Sequence, residues 1–402
     1  MTTELSIIIV VRGILDVRTQ KMATALANSG AHVEVLVMIY RDERRSEKVD
    51  GFAVTYIPLL IRGSSSKHPW RPWRVFCNLM FFNPLVHIRA LFTGAFGEVF
   101  IVNELSIRKP EVIVAINADT IGPCGKEAQK QGAMLVYDAH EFWPDYSREE
   151  LIGFTRHQRH VLRSAERNYM PQADLSITVS PVLARDYKEE LDLPVMPLVI
   201  YNSPLECIPT PAPANNPLKF VFLGSLQTER NVKLIFEAAA ITEGVDMSFQ
   251  GFGELESWLC AEIRKRGLQD RIRVVAPSSY DDLIDSASSY DIGILAHEGY
   301  NRQMQGALPN KFFEYMAAGL AVIVPPTQAL VEFENIEDFA DILPEVTIEK
   351  ISEEMLRLVT DPDRVTAMKK AAVELAPRYS GDSQATHLRE ALSSIYQSKQ
   401  KE

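Results

Sequence analysis

The sequence predicts an α/β protein with two Rossmann-like, doubly wound domains that face each other across a cleft. Three observations predict it. Short apolar runs of strand length alternate with helical patterns along most of the 402 residues, which implies parallel strands buried on both faces. The alternation breaks at 204–217, where five prolines interrupt it, and then restarts. A stretch so rich in proline is neither helix nor sheet interior and reads as a linker. The chain is also too long for one typical core. The expected division is 1–203, a linker at 204–217, a second domain at 218–378 and a closing helix in 379–402.

The first half opens with Leu5–Val11, a buried-strand run with no basic residues ahead of it and no small-residue cleavage pattern. It reads as a first strand rather than a signal peptide. A loop from Arg12 to Arg18, a helix to about Asn28, Gly30 and a strand at His32–Ile39 complete a β–loop–α–β unit. Glu111–Ile116 and Ala133–Asp138 repeat the pattern around a helix near Pro123–Gln131. Leu175–Val179 and Pro181–Leu191 supply another strand and helix. In the second half, strands are expected at Lys219–Leu223, Asp246–Gln250, Arg271–Val275, Ile292–Leu295 and Leu320–Val324. A last helix over about Asp382–Gln397 carries Leu388, Leu392, Ile395 and Tyr396 at helical spacing, so it should pack on a domain surface. Ligands of parallel sheets bind beyond the carboxyl ends of the strands. The residues following each strand therefore count most: Gly13, Asn117–Asp119, His140–Glu141 and Ser180.

Composition narrows the classes. Residues 1–200 hold 23 basic and 23 acidic side chains, so the net charge of −11 sits in the second half. Overall charge argues against a nucleic-acid partner. Four scattered cysteines give neither a zinc signature nor a disulfide framework, and free thiols in a reducing cytosol are expected. No Asp-X-Asp sits at a strand end, so no obligatory metal and no cofactor is expected; Asp361-Pro362-Asp363 reads as helix capping.

Segment 51–97 carries five Lys/Arg and no Asp or Glu, with Trp70 and Trp73 among the bases. Its apolar stretch is broken by polar residues and should not span a bilayer. Residues 62–96 are expected to lie on an anionic membrane surface, which places the protein in the cytoplasm, peripheral to the inner face of a membrane. A helix packed on the sheet with a basic edge is the plainer alternative.

The most informative stretch is 305–324. Leu308-Pro309-Asn310-Lys311 is a polar turn. It feeds an apolar-faced helix that carries Glu314, ends at Gly319 and runs straight into a strand. A turn feeding a helix N-terminus gathers unpaired N–H groups and positive dipole, which suits an anion. Lys311 in that first turn is unfavourable unless an anion meets it.

Leu308-Pro309-Asn310-Lys311-Phe312-Phe313-Glu314-Tyr315-Met316-Ala317-Ala318-Gly319 resembles the donor-site signature of GT-B glycosyltransferases of family 4. Other parts follow in the expected order: Tyr137-Asp138-Ala139-His140-Glu141, Ala173-Asp174 through Val179-Ser180, Tyr201-Asn202, Gly224-Ser225 with Arg230 downstream, and Gly251-Phe252-Gly253. The resemblance implies the GT-B fold and sugar transfer from a nucleotide diphosphate donor, expected to be UDP-linked, with retention at the anomeric carbon. The chain departs from the family pattern in four places. Gly306 stands where a first glutamate is frequent, Ser225 replaces an arginine, Arg230 replaces a lysine and Ala321 replaces a proline.

The donor-side candidates are thus Gly13, Ser225, Arg230, Gly251, Gly306, Asn310, Lys311 and Glu314. Arg230, Lys311 and the amides near Asn310 would stabilise charge developing on a diphosphate leaving group. Glu314 can accept two ribose hydroxyls, and Gly13 would let the first loop approach phosphates closely. The resemblance implies that His140 contacts the donor sugar, and His140 with Glu141 forms the catalytic pair of candidates. Acceptor-side candidates are Asp16, Arg18, Asp119 and Arg163; Glu141 or Asp16 would orient or deprotonate an acceptor hydroxyl. Arg163 belongs to a helical run of bases, Arg156, His160, Arg163 and Arg167, that reads either as a solvated face or as a polyanion contact. The expected acceptor is lipid-linked or a polysaccharide of the cell surface. A GT-B-like nucleotide-sugar epimerase and a non-catalytic nucleotide-sugar-binding scaffold are the rival readings.

Overall fold

The structure is a computed structural model describing residues 5–39, 44–58, 98, 100–145 and 156–399. These fall into two compact units. One comprises the chain up to Val179, Leu183–Ile200 and the residues from Ala385 on; the other comprises Ser180–Val182 and Tyr201–Gln384.

The first unit is built on an eight-stranded sheet in the order β3-β4-β2-β1-β5-β6-β7-β8. The strands are β1 (Ser6–Arg12), β2 (His32–Ile39), β3 (Arg45–Val49), β4 (Phe52–Pro58), β5 (Val112–Ile116), β6 (Met134–Asp138), β7 (Leu175–Thr178) and β8 (Leu198–Val199). Every pairing is parallel except β3 with β4. Ile7 to Val11 and the whole of β5 and β6 are buried, as strands covered on both faces must be. One core cluster joins β1, β2, β4, β5 and β6 to Leu388 and Leu392 of the last helix, Gly381–Lys399.

Two expectations change here. Phe52–Pro58 is a sheet strand with Phe52, Val54, Thr55 and Ile57 buried, so the segment drawn from 51 cannot be a surface element at its start. The signal was present in Asp50-Gly51, a two-residue hairpin turn with φ of 42° and 89°. The rest of the basic, aromatic segment, 62–96, lies outside the described residues. The helix expected from Pro123 begins earlier and spans Ala118–Gln131. Asn117, in a left-handed conformation (φ 63°), turns the chain abruptly out of β5, and Pro123 is carried inside the helix.

The second unit holds an all-parallel six-stranded sheet in the order β11-β10-β9-β12-β13-β14. Its strands are β9 (Lys219–Leu223), β10 (Asp246–Gln250), β11 (Ile272–Val275), β12 (Ile292–Ile294), β13 (Ala321–Val324) and β14 (Ala340–Ile342). This is the Rossmann order, with chain direction across the sheet reversing between β9 and β12. Two core clusters flank it. The proline-rich segment packs against this unit: Ile208 donates its N–H to Ala317 O at 2.9 Å, and the Asn215 N–H donates to Asp291. Gly319 takes φ 66° just past the helix Asn310–Ala317, as the sequence predicts. Among the described residues no helix is long and apolar enough to cross a membrane.

Candidate active site

In the second unit the site forms where β9 and β12 part. Tyr315 fixes the helix Asn310–Ala317 at that point. Its ring lies against Gly293 of β12, where a Cβ would come within 2.4 Å of it. Its hydroxyl accepts from the Leu223 N–H at 2.9 Å and donates to Ile294 O at 3.3 Å. The helix therefore starts at the carboxyl ends of both strands. Pro309 occupies its N-cap with no side-chain acceptor; the Phe312 N–H donates to Pro309 O at 3.0 Å, and no side chain caps the helix start.

The glycine turns converge on the same place. Gly251 follows β10, and a Cβ there would lie 1.8 Å from Gly224 O. Gly224 itself has φ 133°, and its open side faces Lys311, whose Cε would be 3.5 Å from an added Cβ. Lys311 reaches Glu314 with Nζ to Oε2 at 2.7 Å. Glu314 is nearly buried, at 7 % exposure. A lysine, a buried carboxylate, a glycine turn and a helix N-terminus thus meet within one unit. Asn310 is exposed at the first position of that helix, and Ser225 is half-buried beside Gly224. Arg230 is exposed in the short turn Thr228–Arg230. Gly306 is buried at the end of the helix Arg302–Gly306, and its carbonyl accepts from the Ser180 hydroxyl.

His297 was not singled out from the sequence. It follows β12, is buried, and is lowered to about 4, first by burial and then by the charge of Arg230. Its imidazole is neutral at ordinary pH. A histidine two residues beyond a predicted strand was the available signal.

In the first unit Asp138 ends β6 fully buried. Arg18 grips it with Nε to Oδ2 at 2.9 Å and Nη2 to Oδ1 at 2.8 Å, and Nη1 donates to Ile200 O at 2.7 Å. Burial alone would raise this carboxyl, but Arg18 and then His140 hold it far below the usual range. Ionised, Asp138 can only accept, so the 3.0 Å contact with His140 makes Nε2 the protonated ring nitrogen. The Asn117 amide oxygen accepts from the His140 N–H at 3.2 Å. Burial pushes Asp119 up to about 6, Arg12 and His140 opposing and Glu141 reinforcing the shift.

The structure thus brings His140, Glu141 and Asp119 together. Arg18 is buried with its donors committed to Asp138 and Ile200, so it acts on His140 through Asp138. Asp16 caps its helix, accepting from the Thr19 N–H at 2.8 Å and the Thr19 hydroxyl at 3.1 Å. Arg163 donates to Trp143 O at 3.3 Å. Gly13 has φ 93° with open space where a Cβ would stand, so backbone conformation is what demands glycine there. Asp138 and Tyr315, which position the others, carry no sequence mark beyond their place in a motif. Among the described residues no group of three or more His, Cys, Asp or Glu side chains is placed to hold a metal ion.

Comparison with known proteins agrees with this geometry. The family model described as Glycosyl transferase 4-like domain matches residues 15–202, and the model described as Glycosyl transferases group 1 matches residues 208–375. No curated protein matches the chain in sequence. Among solved structures, sucrose-phosphate synthase from Thermosynechococcus elongatus has a TM-score of 0.71 at 12 % identity, covering 98 % of this chain and 100 % of its own. A glycosyltransferase from Rickettsia africae ESF-5 has 0.69 at 13 %, covering 98 % and 99 %. Anabaena Alr3699/HepE in complex with UDP has 0.67 at 14 %, covering 97 % and 100 %. With the two family models lying in tandem over nearly the whole chain and the GT-B fold shared throughout, the protein belongs to the family 4-like GT-B glycosyltransferases.

Proposed function

We propose that the protein is a retaining, metal-independent glycosyltransferase that moves a sugar from a UDP-sugar to a lipid-linked or polysaccharide acceptor at the inner face of a membrane. The observation that carries the donor reading is Lys311 lying over Gly224 at an uncapped helix N-terminus, with the nearly buried Glu314 one turn further on. A diphosphate meets the helix dipole and the two cations Lys311 and Arg230; the ribose hydroxyls donate to Glu314. As the glycosidic bond breaks, these groups are already in place to stabilise the leaving group. Solved structures of Anabaena Alr3699/HepE with UDP and with UDP-glucose support uridine as the nucleotide.

In the first unit, His140 is oriented by the Asp138–Arg18 pair, which suits it to hold the donor sugar. Asp119, pushed up to about 6, has an affinity for protons matched to exchanging one with an acceptor hydroxyl near neutral pH. Retention is supported by the family resemblance, and the membrane acceptor by the basic, Trp-bearing stretch 62–96.

The test is incubation with radiolabelled UDP-sugars and membrane lipid extract. Label entering the lipid or glycan phase supports transfer. Conversion of the free donor to an epimer, or binding without turnover, replaces this reading with an epimerase or a scaffold.

A further inference from the structure

A second feature of the same unit lies at the carboxyl ends of β12, β13 and β14. A cleft of about 250 Å³ opens there, lined by His297 to Gly299, Gln305, Pro325 to Thr327, and Glu345 to Thr347. It is smaller than the usual range for a drug-sized ligand, about 300–1,000 Å³, and suits a single ring rather than a nucleotide.

Two buried polar side chains line it, and one of them has an oxygen without a hydrogen-bond partner. Thr327 is 1 % exposed and stands at the N-cap of the helix Gln328–Val331, yet its hydroxyl makes no cap hydrogen bond. Its Oγ1 is buried with no hydrogen-bond partner. A threonine at an N-cap ordinarily caps with this oxygen, and leaving a buried hydroxyl unpaired is unfavourable. His297 is 5 % exposed and lines the same cleft. A neutral imidazole offers one donor and one acceptor.

The wall is held rigidly. Gln305 donates Nε2 to Gly299 O at 2.5 Å and accepts the Gln328 N–H at Oε1 at 3.0 Å. It thereby ties the loop after β12 to the loop after β13 and takes over the capping that Thr327 leaves undone. Pro325 and Pro326 give an apolar surface, and Glu298 and Glu345 give acceptors at the rim. An apolar face, rim carboxylates, an unpaired hydroxyl and an imidazole around one ring's volume fit a sugar. The charge of Arg230 already acts on His297, so the cleft adjoins the proposed diphosphate site.

We infer that this cleft receives the sugar of the donor, with Thr327 and His297 hydrogen-bonding its hydroxyls and so setting which sugar is accepted. The inference rests on the UDP-sugar reading.

Titration calorimetry of the full-length protein tests it, comparing UDP with UDP-glucose, UDP-galactose and UDP-N-acetylglucosamine. Thr327→Val keeps the shape and removes the hydroxyl; His297→Phe removes both ring donors and acceptors. Each variant is expected to lose about tenfold or more in affinity for the preferred UDP-sugar while binding UDP as the wild type does. Unchanged UDP binding also shows that the variant is folded. Equal affinity of wild type and Thr327→Val for every UDP-sugar, with UDP bound normally, overturns the inference and leaves the donor site standing. Failure of the wild type to bind UDP or any UDP-sugar overturns the donor site itself, and the inference with it.

Discussion

The Lys311 ammonium lies 2.7 Å from the Glu314 carboxylate, three residues on along the same helix, with the carboxylate nearly buried. Lysine at a helix start is locally unfavourable, and this pair is the local compensation. Without a bound anion, the carboxylate proposed for the ribose holds the cation proposed for the phosphates.

Glu314→Gln therefore removes two things: the strong acceptor proposed for ribose and the anchor of Lys311. UDP affinity is expected to fall at least tenfold by calorimetry, a loss of about 1.4 kcal/mol or more. The melting temperature should move by only a few degrees. Undiminished UDP affinity in Glu314→Ala removes Glu314 from the donor site.

The two glycine turns touch so closely that one methyl group separates folded from misfolded. Gly251→Ala puts a carbon 1.8 Å from Gly224 O and 2.9 Å from Gly224 C, both backbone atoms. Overpacking of this kind costs about 1–3 kcal/mol even where neighbours can yield. Denaturant titration should show at least that loss, with UDP binding weakened alongside it. Gly13→Ala meets no atom within 4 Å, so its cost is confined to the strained φ of 93°.

Asp138→Asn breaks a buried, bidentate ion pair. Leaving Arg18 buried without its counter-ion is expected to cost about 3–5 kcal/mol. The sign of the pH dependence follows from the depressed carboxyl. Its stabilising contribution is fully present above the unfolded value of about 3.9 and disappears as pH falls through the much lower folded value. Between about pH 5 and 8 the variant's deficit from this group should therefore stay constant.

Glu166 behaves in the opposite sense. It is buried, accepts from Tyr137 at 2.6 Å and Tyr187 at 2.9 Å, and leaves Oε2 without a hydrogen-bond partner. Burial raises it from 4.5 to about 7, against those hydrogen bonds and the charge of Arg163. The folded protein holds this proton more tightly than the unfolded chain, so the contribution is present at low pH and is lost as pH rises through about 7. Glu166→Gln cannot ionise and keeps an oxygen for the tyrosines. Its melting temperature relative to wild type should rise between about pH 5.5 and about pH 8; a flat difference removes the ionisation from the account.

The central strands of both sheets are legible in the sequence because parallel strands buried on two faces are continuous apolar runs, as in Ile7–Val11 and Ala321–Val324, whereas the short edge strands β8 and β14 are not. The sequence hid β3 and β4 because Arg45–Val49 is exposed and polar, and only Asp50-Gly51 marks the hairpin. The donor turn at 308–311 was legible because local capping chemistry conflicts with a lysine there. Arg18 and Asp16 were read as acceptor groups from their loop position. Their commitments to Asp138 and Thr19 depend on a strand end 120 residues away and on a cap geometry that loop position alone does not reveal. Thr327 is invisible in the sequence for a related reason: what distinguishes it is a hydrogen-bond partner that its hydroxyl lacks.

The last helix has a consequence for the order in which the protein is made. Leu388 and Leu392 complete the core around β1, β2 and β5, and the Tyr396 hydroxyl donates to Glu111, 285 residues earlier. Domains emerging from the ribosome generally fold as units, the N-terminal one first. Here the first unit emerges with a hydrophobic seam still open, and only synthesis of the helix Gly381–Lys399 closes it. A chain stopped near residue 380 would carry all the residues assigned to donor and acceptor and still present that seam to chaperones and proteases.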